Sequence, residues 1–309
     1  MDVVLPATPL HLPFEDGPYR MAMGLLAVPE AEWIEIDSTY PQQMALRQDL
    51  LSQQRDAVLA AEDGSEPYCE ELLSLLTQHL TRYFPEWFVL SGNTLHNRLS
   101  DETWKLACPT EHPLAIAGRL VQEDFCMLRL TPDGPLLTAA VLCFPSHWIL
   151  REKLGRTLAP IHDPVPFYGE RLARPVDRFF AALKPGRVAV RLNWTVTANP
   201  ALFQPSGHNR NDKPPMEISD DSGDKLFLRV ERQTFRRLPQ TGAVAFGIRL
   251  QVTKLAEAIT RPADARRLAA AVSALPPEMS RYKSMLPIRD ALFSYLREVT
   301  DREGGPKGS

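Results

Sequence analysis

The sequence predicts an α+β protein: one antiparallel sheet of about five strands, helices packed against one face, and helical extensions at both ends. Three observations carry that expectation. Residues 187–197 alternate, with Val188, Val190, Leu192, Trp194 and Val196 on one side and Arg191, Asn193 and Thr195 on the other. Residues 243–253 alternate in the same way through Val244, Phe246, Ile248, Leu250 and Val252. Between residues 123 and 144 two apolar runs flank TPDGP, in which Asp133 followed by Gly134 is a hairpin turn signal.

Taken in order, residues 1–30 are punctuated by proline and lack any period, so they are expected to form a surface-lying N-terminal extension. EWIEI at 32–36 suggests a short strand. Pro41 suits a first helical turn, and Met44, Leu50, Leu51, Val58 and Leu59 give a helix over 42–60 one apolar side. A second helix is expected over 68–84, where Leu72, Leu73, Leu76 and Leu80 form a broad stripe and His79 falls at its surface or boundary. WFVL at 87–90 suggests a short strand and residues 91–104 a loop. Thr110 is a plausible cap for a helix over 112–119. The strands 123–130 and 136–144 follow, and Ser146 is expected to cap a helix over 147–154 that Gly155 ends. A helix over 175–183 starts at Pro175 and stops before Pro185. After strand 187–197 comes a long polar stretch, 198–224, containing His208, whose length suggests a lid or disorder. Strands 225–234 and 243–253 complete the sheet, and helices over 262–274 and 278–298 complete the chain. A single domain over 31–298 and a frayed tail over 299–309 are expected.

Composition narrows the function classes. The 309 residues are 44% hydrophobic and 24% charged with a net charge of -3 and no basic block, which disfavours a nucleic-acid partner. No apolar run is long enough to span a membrane, and the first residues lack a signal-peptide pattern, so the cytoplasm is expected. Cys69, Cys108, Cys126 and Cys143 stand at neither metal-finger nor redox spacing.

Nucleotide, hydrolase and metalloprotease signatures are absent. His162 is singled out by its setting, between Ile161 and Asp163 with Pro164 and Pro166 behind it. Prolines lower the entropy cost of fixing such a segment. A metal or haem ligand, a base and a hydrogen-bonded core residue all remain open for it. Cys143 and His147 are four apart, but Pro145 breaks any shared helical face. Arg191, Arg229, Arg232, Arg236, Arg237 and Arg249 lie on or beside strands, where a charge needs a partner. Either Glu231, Asp177 or Glu217 supplies it, or some arginines face an anion such as a cofactor carboxylate. Trp148, Phe167, Tyr168 and Trp194 are core residues or the walls of a flat apolar cofactor.

Four blocks go further: VLCFPSHWILREKLGRTLAPIHDPVP from residue 141, RPVDRFFAALKPGRVAVRLNWTV from 174, LFLRVERQTFRRLP from 226 and PPEMSRYKSM from 276. Their content and order resemble the haem-dependent oxidative N-demethylase family from about residue 15 to residue 298. The resemblance implies a PAS-like antiparallel sheet holding haem b. It also implies oxidative removal of a methyl group from a small methylated amine such as dimethylamine, using dioxygen and releasing formaldehyde. Electrons would come from NADPH through flavin and a [2Fe–2S] centre on a separate reductase partner. The family's IHxPVP block falls on Ile161, His162, Pro164, Val165 and Pro166, and that placement makes His162 the candidate iron ligand; the RLNW and RVERQTFRRLP blocks give Arg191, Asn193, Trp194, Arg232, Arg236 and Arg237 as candidates around the cofactor. Glu231 or Asp163 would hold the methylammonium group or orient the histidine. The chain departs from the family at His147, where an arginine is common after CFPS. A haem- or ligand-binding sensor without catalysis is the alternative.

Overall fold

Apolar alternation and hairpin chemistry build the sheet as expected, and short strands extend it at both edges. The computed structural model describes residues 4–107, 109–206 and 214–302. Its strands are β1 (Leu26–Val28), β2 (Leu59–Ala61), β3 (Phe88–Ser91), β4 (Thr94–Asn97), β5 (Glu102–Lys105), β6 (Glu123–Thr131), β7 (Gly134–Val141), β8 (Val188–Thr197), β9 (Phe227–Arg237) and β10 (Val244–Lys254). Seven of them form one antiparallel sheet in the order β1-β8-β9-β10-β6-β7-β2. The five central strands are the expected ones. The edges β1 and β2 have three residues each, too few to show a period in sequence. Such short edges also discourage pairing with other chains. The stretch expected as a loop at 91–104 instead forms a second sheet, β3-β4-β5. Its first turn depends on Gly92, whose φ of 57° lies in the left-handed region.

Both faces of the main sheet are covered, not one. The first six residues of β6 are all buried, so that strand has no solvent face. On one side the helices Tyr40–Gln53, Glu66–Tyr83 and Pro113–Leu120 pack with Trp33, Leu72, Phe125 and Met127. On the other, the segment 150–182 packs Leu150, Tyr168, Val176 and Phe180 against Cys126, Leu128 and Phe235. The C-terminal helices Pro262–Ser273 and Arg289–Asp301 pack on one end of β8 and β9 through Val196, Leu228 and Val230.

Several element bounds differ for local reasons. Residues 32–36 are irregular, although Trp33, Ile34 and Ile36 are buried. The first helix stops at Gln53 and gives way to β2. His112, not Thr110, caps the next helix by accepting from the Leu114 amide at 3.2 Å. The helix after β7 is confined to Leu150–Lys153, and Ser146 does not cap it, because His147 takes a φ of 62°. The expected last helix breaks at Ser284, with φ 54°, into Pro277–Tyr282 and Arg289–Asp301. Val299 is buried in the latter, inside the segment expected to fray. His79 is buried rather than at the surface. Cys108, His208 and the last seven residues lie outside the described residues.

An ion network under the first face fixes where the chain leaves the sheet. Arg47 and Asp124 pair at 2.7 Å, and Arg249 and Asp37 at 2.6 Å, with all four side chains buried. Asp124 also accepts the amides of Cys143 at 2.7 Å and Phe144 at 2.8 Å. The end of β7 is thereby held at the point where Pro145 turns the chain toward the opposite face.

Candidate functional site

That turn starts the wall of a cavity of about 900 Å³. Its floor is the sheet, through Cys126, Leu128, Phe235, Phe246 and Ile248, and the segment 146–180 closes one side with Trp148, Leu158, Val165, Val176 and Phe180. Residues 13–24 cross another side, so the N-terminal extension is part of the enclosure. Arg267 ties that strap down by donating to the Phe14 carbonyl at 2.8 Å and pairing with Glu15 at 3.1 Å. The size suits a cofactor-sized ligand, and the walls are largely apolar.

Polar groups are concentrated on β8 and β9. The register sets Arg191 beside Gln233, Asn193 beside Glu231 and Thr195 beside Arg229, and all six line the cavity. Glu231 Oε2 accepts from Gln233 Nε2 at 2.8 Å and from Asn193 Nδ2 at 3.3 Å. Arg191 differs from its neighbours. Among the described residues its buried Nε finds no acceptor and the side chain makes no ion pair. Burial lowers its pKa, partly opposed by Glu231 and Tyr168. A buried donor left in this state is costly unless a ligand accepts from it.

His162 faces the same cavity from the segment opposite the sheet. It ends the short helix Leu158–Ile161 and stacks on Tyr168, with ring centres 4.6 Å apart and planes 8° from parallel. Its Nδ1 lies 2.7 Å from the Leu158 carbonyl, which can only accept, so Nδ1 carries the proton. Nε2 is then a lone-pair donor with no protein partner among the described residues. Burial lowers the ring's pKa; the Leu158 bond opposes this, and Arg191 and Lys153 reinforce it. The result is a neutral imidazole oriented by a backbone carbonyl, as metal-ligating histidines are.

Arg229 works as a clasp. Its guanidinium donates to Ser146 Oγ at 3.1 Å and to the carbonyls of Ala201, Leu202 and Pro145 at 2.8, 3.1 and 3.2 Å. Burial pulls its pKa down to about 10. It joins the loop after β7 to the loop after β8. His147 sits in that junction, lines the cavity and donates its amide to the Gln204 carbonyl at 2.9 Å.

The structure separates the remaining candidates. Trp194 lines the cavity, packed edge-on against Phe14. Arg232 and Arg236 do not: odd and even positions of β9 face opposite ways, and these two face the ion network. Arg232 pairs with Glu35 at 2.9 Å and donates to the Glu32 carbonyl. Arg236 pairs with Glu30 at 2.5 Å and lies over the Trp33 ring. Arg249 is likewise spent on Asp37. Arg237 shares the parity of Arg229 but sits beyond the cavity and donates to the Leu183 carbonyl at 3.2 Å. Asp163 is exposed and outside the cavity lining, so it is not placed to hold a ligand there. Lys283 was not foreseen. It reaches in from the C-terminal segment, donates to the Trp194 carbonyl and approaches Asn193 Oδ1 at 3.5 Å. Burial brings its pKa down to about 8, with Glu231 opposing and Arg191 reinforcing.

A family model for the haem-dependent oxidative N-demethylase, alpha subunit-like proteins matches residues 24–293. The chain belongs to that family. The match spans β8 to β10, the His162 segment and Lys283, and so takes in most of the cavity lining. The residues present fit the haem that the family name implies. Among the described residues they offer a neutral histidine whose Nε2 has no protein partner, a largely apolar cavity, and a buried Arg191 Nε with no acceptor. A haem iron needs only one protein ligand. Among the described residues no group of three or more His, Cys, Asp and Glu side chains is placed to hold a metal ion.

Proposed function

We propose that this chain removes a methyl group from a small methylated amine, using haem b, dioxygen and electrons from a separate reductase. The observation that carries the reading is the pairing, in one cavity, of a backbone-oriented neutral His162 with Arg191, whose buried Nε has no acceptor among the described residues. The overall change balances: the N-methylamine, one dioxygen, two electrons and two protons give the amine with hydrogen in place of methyl, formaldehyde and water. Haem, when bound, supplies the oxidising iron centre.

The chain's own residues do the rest. His162 Nε2 would hold the haem iron, and Leu158 fixes the tautomer that leaves this nitrogen free to do so. Arg191 would pair with a carboxylate of the cofactor, which its planar fork suits. Glu231, steadied by Asn193 and Gln233, accepts the ammonium group of the amine. Phe235, Phe246 and Ile248 keep water from the reacting carbon. The PAS-like reading rests on five central antiparallel strands with helices inserted after the second and a ligand cavity between the two. Electron supply by NADPH, flavin and a [2Fe–2S] centre belongs to the reductase. The described cysteines are three separate buried thiols. Among the described residues no helix is long and apolar enough to cross a membrane.

The test is the absorption spectrum of the purified chain after haem addition, oxidised and reduced, followed by dimethylamine and a reductase with assay of formaldehyde. A Soret band that shifts with amine, together with formaldehyde release, is expected. No Soret band defeats the proposal, and a haem-loaded chain that never releases formaldehyde is a sensor. His162→Ala is expected to change the axial-ligation spectrum; an unaltered spectrum removes His162 from the role.

A further inference from the structure

The row of polar groups on β8 and β9 holds more charge than a simple alkylamine needs. An alkylammonium ion asks for one acceptor, which Glu231 provides. Asn193 ties that acceptor to a cation: Nδ2 donates to Glu231 at 3.3 Å while Oδ1 lies 3.5 Å from Lys283 Nζ. Glu231 and Lys283 thus flank one amide without forming an ion pair with each other. Each keeps bonding capacity in reserve. Both amide donors go to Glu231 Oε2, and none among the described residues reaches Oε1. Lys283 spends two of its three protons, on Asn193 and the Trp194 carbonyl. Both side chains line the cavity.

We infer that the Glu231–Asn193–Lys283 group is a subsite for a zwitterion, so that the methylated amine carries a carboxylate: an N-methylated amino acid. This rests on the proposed function and narrows its substrate. Glu231 takes the ammonium end and Lys283 the carboxylate, with Asn193 holding the two receptors apart. Lys283 is charged at neutral pH, since its pKa of about 8 still lies above 7. A desolvated cation beside the acceptor works against a ligand that brings only positive charge, and favours one that brings both signs. The carboxylate would gain a charge-assisted bond that dimethylamine cannot make.

The experiment is titration of the full chain with N-methylglycine and with dimethylamine, read by absorption of the haem-loaded protein and by calorimetry. N-Methylglycine is expected to bind at least tenfold more tightly. Lys283→Met is expected to shrink that ratio tenfold or more with the haem content unchanged, and Lys283→Arg to restore part of it. Equal or tighter binding of dimethylamine overturns the inference, as does an unchanged ratio in Lys283→Met. Loss of haem from that variant assigns Lys283 to the cofactor and overturns it too. If neither variant folds, the wild-type ratio decides. Formaldehyde from dimethylamine but not from N-methylglycine removes the subsite and leaves the demethylase. A chain that takes up no haem removes the demethylase, and calorimetry of that same chain still reads the subsite.

Discussion

Arg191 and Arg232 show how one residue type serves two ends. They lie on adjacent strands, and the register sets Leu192, not Arg191, beside Arg232. Replacing Arg191 by Leu removes a buried Nε donor that has no acceptor among the described residues, so haem affinity is expected to fall at least tenfold while the urea midpoint of the haem-free chain holds or rises. Replacing Arg232 by Leu takes the nearest cation from half-buried Glu35, which keeps only longer contacts to His11 at 3.4 Å and Gln251 at 3.4 Å. A loss of about 2–3 kcal/mol is expected by urea unfolding, toward the low side because Glu35 keeps some solvent. The folded Arg232 variant should take up haem normally. The sequence could not separate the two arginines, because register is set by the partner strand and not by the residues beside each one. Lys283 escaped notice for a related reason: it meets Asn193 across 90 residues of chain, and its own segment reads only as helix. His162 was legible, since proline placement and its neighbours are local features. Its lowered pKa also gives a pH expectation. The folded ring resists protonation below its ordinary 6.5, so ligation should hold at neutral pH and fail only on deeper acidification as Nε2 gains a proton. A pH titration of the haem spectrum reads this.

At the scale of elements, the central strands were legible because β8 and β10 alternate along their length and β6 and β7 flank a hairpin turn signal. The edges β1 and β2 were not, because three residues hold no period. The second small sheet has a local sequence signal of its own: Gly92 and Asn93 between two short runs form a hairpin turn. The element that matters most for the site is the exit from β7. Asp124 on β6 holds it through two amides and Arg47. Asp124→Ala leaves both amides without their acceptor and the buried Arg47 charge without its carboxylate, with only the carbonyls of Gly118, Gln122 and Glu123 to accept from it, and about 3–5 kcal/mol should be lost. Circular dichroism melts would read the loss. A variant that melts like the parent would show that the exit is held by packing alone.

Across the whole molecule, two buried groups set opposed pH dependences. Glu123 is fully buried, and burial, opposed by Arg249, pushes its pKa up to about 7, with Oε2 unpartnered. The folded chain keeps this proton up to about pH 7 while the unfolded chain releases it near 4.5. Stability from this group therefore falls as pH rises through that window, by about 3 kcal/mol at most. His79 runs the other way. Burial, with Arg236 and Arg82, takes its pKa down to about 3, so stability falls as pH drops from 6.5 toward 3. Each group thus erodes stability on its own side of the range, with His79 governing the acid side. Urea midpoints across pH should show Glu123→Gln gaining stability at about pH 8 and His79→Leu gaining it at about pH 4. The sheet ties these halves together, since alternate residues of β9 face the cavity (Arg229, Glu231, Gln233 and Phe235) and the packing beneath it (Arg232 and Arg236). That arrangement constrains how the gene can change. One added codon early in β9 would turn every later side chain of the strand over, sending Glu231 into the interior and Val230 into its place. Substitutions in these strands can be absorbed one at a time, whereas a single-residue insertion strikes ligand binding and folding together, and lineages should vary in length at Gly92 and Asn93 long before they do so here.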